Sequence, residues 1–124
     1  MAKYQIDAML DAALNYIKNN STQISVCSTQ PTTLVEAITT YKLAIKTGLT
    51  VGDFTGPVNG DTSGRKLTVN TAVDMTIDSS GTALFVALCS GTLLLYVTTC
   101  TSQALTAGGT VTTPAWDIEI ADAA

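Results

Sequence analysis

The most apolar stretch of the chain, TALFVALCSGTLLLYV at residues 82–97, predicts a pair of antiparallel strands. Residues that suit a pleated sheet dominate both halves, and Ser90-Gly91 between the halves fits a tight turn. Both halves are apolar at nearly every position, which predicts a hairpin that is covered on both faces and central to the fold. A membrane anchor is the alternative, but the stretch from Ala83 to Val97 is shorter than the about 20 residues that a spanning helix needs.

A second pattern, in YQIDAMLDAALNYIKNN, predicts an amphipathic helix over residues 4–19. Asp7 and Asp11 near its start and Lys18 near its end suit the helix dipole. Apolar residues recur every three or four positions and form one stripe, made of Ile6, Met9, Leu10, Ala13, Leu14 and Ile17. We expect this stripe to cover either the sheet of its own domain or a neighbouring subunit.

The rest of the chain predicts mainly strands. Ile24 and Val26 alternate with polar neighbours, as in a half-buried strand, and Thr33 with Glu36 resembles a capping box that opens a short helical turn. Alternating patterns continue at 41–46, 65–78 and 102–121, and in the last of these Trp116, Ile118 and Ile120 share one face. We therefore expect one domain, residues 1–124, mainly β: an antiparallel sandwich or barrel of about six to seven strands over about 22–121, with the N-terminal helix packed on it.

Residues 48–64, GLTVGDFTGPVNGDTSG, contain five of the nine glycines and predict a long loop. Loops of this length are often binding elements, so this segment is the first place to expect partner contacts. Asp53, Asn59 and Asp61 lack the ligand spacing and the terminal Glu of a calcium loop, and we expect no metal there.

The composition and net charge of the chain restrict the range of functions that it could have. Charged residues make up 13% of the chain, whereas Thr occurs 22 times and Ser 8 times, so hydroxyl groups carry much of the polar surface. The net charge of −4 and the absence of a basic cluster, with only Arg65 and Lys66 adjacent, argue against nucleic-acid binding.

The sequence also lacks the residue patterns of common catalytic sites. The chain has no His, which removes the commonest general base and zinc ligand. Asp117 and Glu119 lie two apart on one face of the last predicted strand, where paired acids are usually solvated charges. No phosphate-binding or dinucleotide-binding glycine motif is present. We expect neither an enzyme nor a bound cofactor.

Cys27, Cys89 and Cys100 form no metal-binding spacing. If Ser90 and Gly91 form the turn, Cys100 lies opposite about Gly81, too far along the hairpin for a disulfide with Cys89. We expect free buried thiols that behave as small apolar groups. The N-terminal MAKYQIDAML has no apolar signal segment, so we expect synthesis in a cytoplasm.

Several segments together resemble a family of small virion proteins of tailed bacteriophages. The likeness rests on the order and character of LDAALNYI, ISVCSTQPTTLVEA, SGRKLTV, TALFVALCSGTLLLYVTT and LTAGGTVTTPAWDIEIADA. It implies a structural component of the particle, most specifically a capsid decoration or cement protein made in the host bacterial cytoplasm. Such a protein would sit on the outer surface of the head, bind the major capsid protein and copies of itself as a trimer or dimer, and engage neither nucleic acid nor membrane.

Within this interpretation, the N-terminal region and the 48–64 segment are the expected contacts, with Lys3, Tyr4, Phe54, Pro57 and Asn59 as candidates. Two alternatives stay open. One is a tail or head-fibre component that touches the host surface, and the other is a soluble binding module that is absent from particles.

Overall fold

A computed structural model describes residues 6–121 and has the mainly β architecture expected, with one helix at its N-terminal end. This part of the chain contains nine strands, more than the six or seven expected. The elements are α1 (Asp7–Asn20), β1 (Gln23–Cys27), a π-helical turn (Glu36–Thr40), β2 (Lys42–Thr47), a 3-10 turn (Val51–Asp53), β3 (Phe54–Asn59), β4 (Arg65–Val69), β5 (Ala72–Thr76), β6 (Gly81–Cys89), β7 (Leu94–Leu105), β8 (Thr110–Thr113) and β9 (Trp116–Ile120).

The strands form three antiparallel sheets around a common interior. Their orders are β2-β1-β6-β7, β3-β4-β9 and β5-β8. One apolar cluster draws residues from all three sheets and from α1, so the sheets bury one shared core. Its fully buried members include Leu14, Ile24, Leu67 and Leu88.

Helix α1 covers the sheet of its own domain, one of the two alternatives that the sequence left open, since it packs against β3 and β4. The buried stripe is narrower than predicted. Leu10 and Leu14 are buried and Ile17 packs beside the core, whereas Ile6 and Met9 are each 59% exposed. Residues 4 and 5 of the predicted helix lie outside the described part.

Strand β1 is buried on both faces, so the prediction of a half-buried strand was wrong. Its outer face carries Cys27 and meets a second, smaller apolar cluster that includes Ala37, Ala87 and Cys89. Ala37 belongs to the π-helical turn, which therefore covers a face that the polar-looking alternation of β1 suggested was open. The Cys27 thiol donates to the Ala37 carbonyl at 3.5 Å.

The turn over 36–40 forms where the capping-box pattern predicted a helical turn. Thr33 behaves as expected, since its hydroxyl accepts a hydrogen bond from the Glu36 N–H at 3.2 Å. The Glu36 carboxylate turns instead to Thr32, accepting from its N–H at 2.9 Å and its hydroxyl at 2.8 Å. These bonds favour the charged carboxylate and lower the pKa of Glu36.

Burial of the two inner thiols predicts a loss of stability in alkali. Desolvation raises the pKa of Cys27, and raises that of Cys89 from 9.0 to about 11. The folded state therefore holds protons that the unfolded chain releases. This contribution is complete below the unfolded value of 9.0 and is lost as the pH rises towards about 11.

We expect the free energy of unfolding, measured by urea titration at several pH values, to fall as the pH rises from about 8 to about 11. The variant Cys89→Ala is the control, because it removes one of the responsible groups and leaves the other alkaline titrations in place. Its slope should be shallower than that of the wild type. Equal slopes would show that Cys89 contributes nothing.

The segment 48–64 is not one long loop, and that prediction was wrong. It contains the 3-10 turn and all of β3, which pairs with β4. The glycines of the segment do not prevent β3 from pairing with β4. Pro57 is tolerated because β3 is the edge strand of its sheet and can lack one N–H donor. The connection between β3 and β4 is a short turn closed by the Gly60 N–H donating to the Gly64 carbonyl at 2.9 Å.

Gly64 occupies a position that admits no side chain. Its φ of +71° is in the left-handed region, and a Cβ there would overlap the Ile120 carbonyl at the end of β9. Gly48 has a similar φ of +73° but nothing within 4 Å of the Cβ position. The β3–β4 turn is thus packed directly against the last strand.

The apolar hairpin forms as predicted, but only one of its strands is central. The connection is residues 90–93, longer than the predicted Ser90-Gly91 turn, and the Ser90 N–H closes it by donating to the Leu93 carbonyl at 2.9 Å. The predicted register was therefore wrong, since Gly81 pairs with Leu105 and not with about Cys100. Strand β6 lies between β1 and β7. The last four residues of β6 are buried, whereas β7 lies at the edge of the sheet and is largely half-buried or exposed. The expectation that both strands are covered on both faces is therefore wrong for β7.

Candidate functional site

The structure brings together only part of the predicted contact set. Lys3 and Tyr4 lie outside the described residues. Phe54 is 5% exposed and belongs to the main core, so its side chain is not available to a partner in this conformation. The prediction of a loop contact at this residue is wrong because the glycines around it obscure the strand β3.

Pro57 and Asn59 meet at a residue that the sequence did not single out as a site, Arg65. The Arg65 guanidinium donates to the Asn59 side-chain oxygen at 2.7 Å and to the Pro57 carbonyl at 3.3 Å. It also donates from Nε to Asp11 Oδ1 at 2.8 Å and from Nη2 to Oδ2 at 3.4 Å. Arg65 therefore joins α1 to the end of the β3–β4 hairpin, and this cluster holds the fold together rather than presenting a free basic group.

The acidic residues of the last strand lie on an exposed face, as predicted. Asp117 accepts a hydrogen bond from the Thr68 hydroxyl at 2.7 Å, and Lys66 lies 2.7 Å from Asp61 and 3.5 Å from Asp117. Glu119 accepts from the Asp61 N–H at 2.7 Å. These groups cross-link neighbouring strands at the surface.

Metal ligands do not converge within residues 6–121, where no group of three or more Cys, Asp or Glu is placed to hold an ion. Asp53, weighed above as part of a calcium loop, instead accepts from the Thr50 N–H at 2.8 Å and closes the 3-10 turn. Cys27 and Cys89 are free and buried, as expected, whereas Cys100 is free but only half-buried. Within the described part, no helix is long and apolar enough to cross a membrane.

The outer edge of β7 is the first surface feature that could engage a partner. This twelve-residue strand pairs with β6 on one side and with no described strand on the other. Its sequence, LLYVTTCTSQAL, contains no charged residue and no Pro, which are the usual protections of an edge strand. Register shifts against β6 lie at either end of a regular stretch, Tyr96–Thr99.

A cavity of about 450 Å³ lies beside this edge. Consecutive residues of β7, Thr98 to Thr101, form one wall, and the run from Val111 to Pro114 together with Trp116 forms another. Its floor is apolar and reaches the main core at Val26, Ala83 and Val86. On the β7 side the wall coincides with a register shift against β6, where Ala83 pairs with Gln103 but Phe85 pairs with Thr99.

Two residues that line the cavity each have a fully buried polar atom without a hydrogen-bond partner, Thr113 Oγ1 and Trp116 Nε1. Thr113 as a whole is 7% exposed. The third such atom within residues 6–121, Gln23 Oε1, does not belong to the lining. Trp116 also stacks on Tyr96, with ring centroids 5.9 Å apart.

No pattern in the sequence predicts this cavity. The sequence places Trp116 on one face of the last strand with Ile118 and Ile120, and this alternation is observed in β9. Trp116 is only half-buried, however, and forms part of the cavity wall. Thr113 is one of many threonines, and its burial depends on strands distant in the chain.

Comparison of the whole chain with protein-family models, with curated proteins and with solved structures found no match.

Proposed function

We propose that the chain is a structural protein of a tailed-bacteriophage virion that decorates the outer surface of the head and stabilises the shell. The observation that carries the proposal is the free edge of β7. An edge strand of this length without Lys, Glu, Asp or Pro is a template for pairing with another chain, and soluble monomers usually protect such an edge. The resemblance of the sequence segments to small virion proteins gives the partner, namely the major capsid protein or a second copy of this chain.

The chemistry of the surface supports an assembly role. The exposed residues of β7 are mainly hydroxyl-bearing, including Thr99, Thr101 and Ser102, and can hydrogen-bond without the desolvation cost of charges. Leu93, at the hairpin turn that precedes β7, is 50% exposed and adds apolar area at one end of the strand. Backbone pairing along the edge with apolar contact at its end is the mode by which sheets add a strand from another protein.

The protein would stabilise the shell because the same contact is repeated many times over its surface. Each contact along one edge strand is modest, but a shell presents the same seam many times, and linked contacts on a fixed lattice reinforce one another. Covering seams between capsid subunits raises the free energy needed to separate them.

The test uses heads of the encoding phage assembled without this protein. Adding the purified chain should give saturable binding and raise the temperature at which the heads open. Thr99→Lys, which places a charge on the regular part of the edge, should weaken binding by about tenfold or more, because pairing would bury the ammonium. Thr106→Lys is the matched control, since Thr106 is exposed just beyond the end of β7 and should bind as the wild type does.

Failure of the folded wild-type protein to bind heads would contradict the proposal. Equal binding by both lysine variants would exclude the β7 edge as the contact. Copy number in purified virions separates the roles: hundreds of copies fit a shell coat, about a dozen or fewer fit a tail or head fibre, and none fits a soluble module.

A further inference from the structure

We propose that Asn59 is a site of spontaneous deamidation, and that Arg65 controls the rate by holding the end of the β3–β4 hairpin closed. Asn59-Gly60 is the only Asn-Gly pair in the chain, and Asn59 is exposed to solvent. The reaction needs water and no other co-reactant. This inference goes beyond the assembly role and does not depend on it.

The reaction joins the side chain of Asn59 to the backbone of the next residue. The Gly60 nitrogen loses its proton to hydroxide and attacks Asn59 Cγ, so that a bond forms between these two atoms and the bond from Cγ to the side-chain nitrogen breaks. The departing nitrogen takes a proton from water, which regenerates hydroxide, and leaves as ammonia. Water then opens the resulting succinimide at either of its carbonyl carbons and gives aspartate or isoaspartate. Glycine favours the attack because no Cβ shields its nitrogen.

The fold withholds the geometry that this attack requires. Asn59 is the last residue of β3 and pairs with Arg65 in β4, so its backbone is extended, whereas the succinimide forms only after rotation about its Cα–C bond. The Gly60 N–H, which must lose its proton, donates to the Gly64 carbonyl at 2.9 Å. Both restraints have to be released before the Gly60 nitrogen can reach Cγ.

Arg65 restrains the reacting side chain itself. Its Nη1 donates to Asn59 Oδ1 at 2.7 Å, while its Nε donates to Asp11 Oδ1 at 2.8 Å, which fixes the guanidinium in place. The Arg65 side chain is only 18% exposed, so water competes weakly for these bonds. Turning the Asn59 side chain towards Gly60 breaks a charge-assisted hydrogen bond, and the reaction therefore proceeds from a locally open state of the turn.

The two products should affect the turn differently. Aspartate at position 59 keeps the length of the main chain, and its carboxylate accepts from the Arg65 guanidinium more strongly than an amide oxygen does. Isoaspartate lengthens the main chain by a methylene group at a turn where Gly64 has no room even for a Cβ against the Ile120 carbonyl. Deamidation thus marks molecules whose turn has opened, and isoaspartate prevents the turn from closing as before.

The test follows deamidation of the full chain at constant pH and temperature, in native buffer and in denaturing guanidinium chloride. Each event adds a negative charge, so anion exchange separates the products, and mass spectrometry of peptides locates them and distinguishes aspartate from isoaspartate. We expect Asn59 to react at least about tenfold more slowly in the folded protein, because only the open turn reacts. Asn59→Asp removes the reacting amide and should abolish the charge change at this site.

Arg65→Lys tests the role of the guanidinium. Lysine keeps the positive charge but cannot hold Asn59 and Asp11 together, so the folded variant should deamidate about tenfold faster than the folded wild type. In denaturant the two proteins should react at the same rate, because the residues on either side of Asn59 are unchanged. A urea titration first establishes that each variant is folded under the native conditions.

Lys18→Met is the matched control. Lys18 also ties α1 to β3, by donating to the Gly56 carbonyl at 2.9 Å, but this bond does not involve Asn59. The folded variant should stay within about twofold of the wild-type rate, since its effect is on a separate contact. Equal acceleration by Lys18→Met and Arg65→Lys would assign the control to the docking of α1 and overturn the role of Arg65.

Three other outcomes would contradict the proposal. Equal rates in the folded and denatured wild type would show that the fold does not control the site. Equal rates in folded Arg65→Lys and folded wild type would exclude the guanidinium as the restraint. An Asn59 that stays intact even in denaturant would overturn the assignment of the site altogether.

Discussion

Replacing Leu14 with alanine should lower the free energy of unfolding by about 2–5 kcal/mol, the range for deleting a fully buried leucine. Leu14 is 0% exposed and is the residue by which α1 enters the main core. The loss combines the transfer free energy of the deleted carbons with the cavity they leave. Since domains of this kind have a total stability of about 5–15 kcal/mol, the change should be plain in a urea titration.

Met9→Ala is the control on the same helix. Met9 is 59% exposed, and its replacement should change the free energy of unfolding by no more than about 0.5 kcal/mol. The pair also examines the alternative that the stripe covers a neighbouring subunit. If Met9→Ala were as costly as Leu14→Ala, and the cost depended on protein concentration, the exposed side of α1 would be an interface between copies.

Gly64→Ala should be the most damaging single-methyl substitution that the turns of this fold offer, lowering the free energy of unfolding by about 2–4 kcal/mol. One part of the cost is the left-handed backbone conformation, about 1–2 kcal/mol for a residue with a Cβ. The other is steric, because the new methyl group would overlap the Ile120 carbonyl and force β9 away from the β3–β4 turn.

Gly48→Ala separates the two parts. It has nearly the same φ but open space around the Cβ position, so it should cost only the conformational term, about 1–2 kcal/mol. The difference between the two variants, measured by urea unfolding under identical conditions, is the steric contribution of the packed turn. Equal losses would mean that β9 yields to the methyl group without cost.

The helix and the hairpin could be predicted because their patterns are local. Apolar residues at helical spacing specify α1 whatever surrounds it, and β-forming residues on both sides of Ser90-Gly91 specify β6 and β7. The same patterns do not say what lies on each face. An apolar run indicates a strand, but whether a neighbouring strand continues the sheet beyond β7 depends on the order of strands, which the sequence pattern does not carry.

Strand β3, which lies within residues 48–64, shows a second limit of prediction from local sequence patterns. Gly and Pro usually mark turns, yet Pro57 costs no sheet hydrogen bond at an edge, and Phe54 reaches the core from the start of β3. The cavity is more difficult to predict than this strand. Its walls include Thr113 and Trp116, whereas its floor comes from residues of β1 and β6. No local signal joins those segments, so the cavity could be found only in three dimensions.

The sheet order also governs when this chain can fold during translation. Ile24 in β1 pairs with Leu88 in β6, and Leu67 in β4 pairs with Ile118 in β9, so both large sheets join segments far apart in sequence. Closing such long loops is slow compared with forming local hairpins. A ribosome must therefore release β9 before β4, already paired with β3, finds its second neighbour. Until then the nascent chain carries an incomplete core that is vulnerable to proteases and chaperone capture.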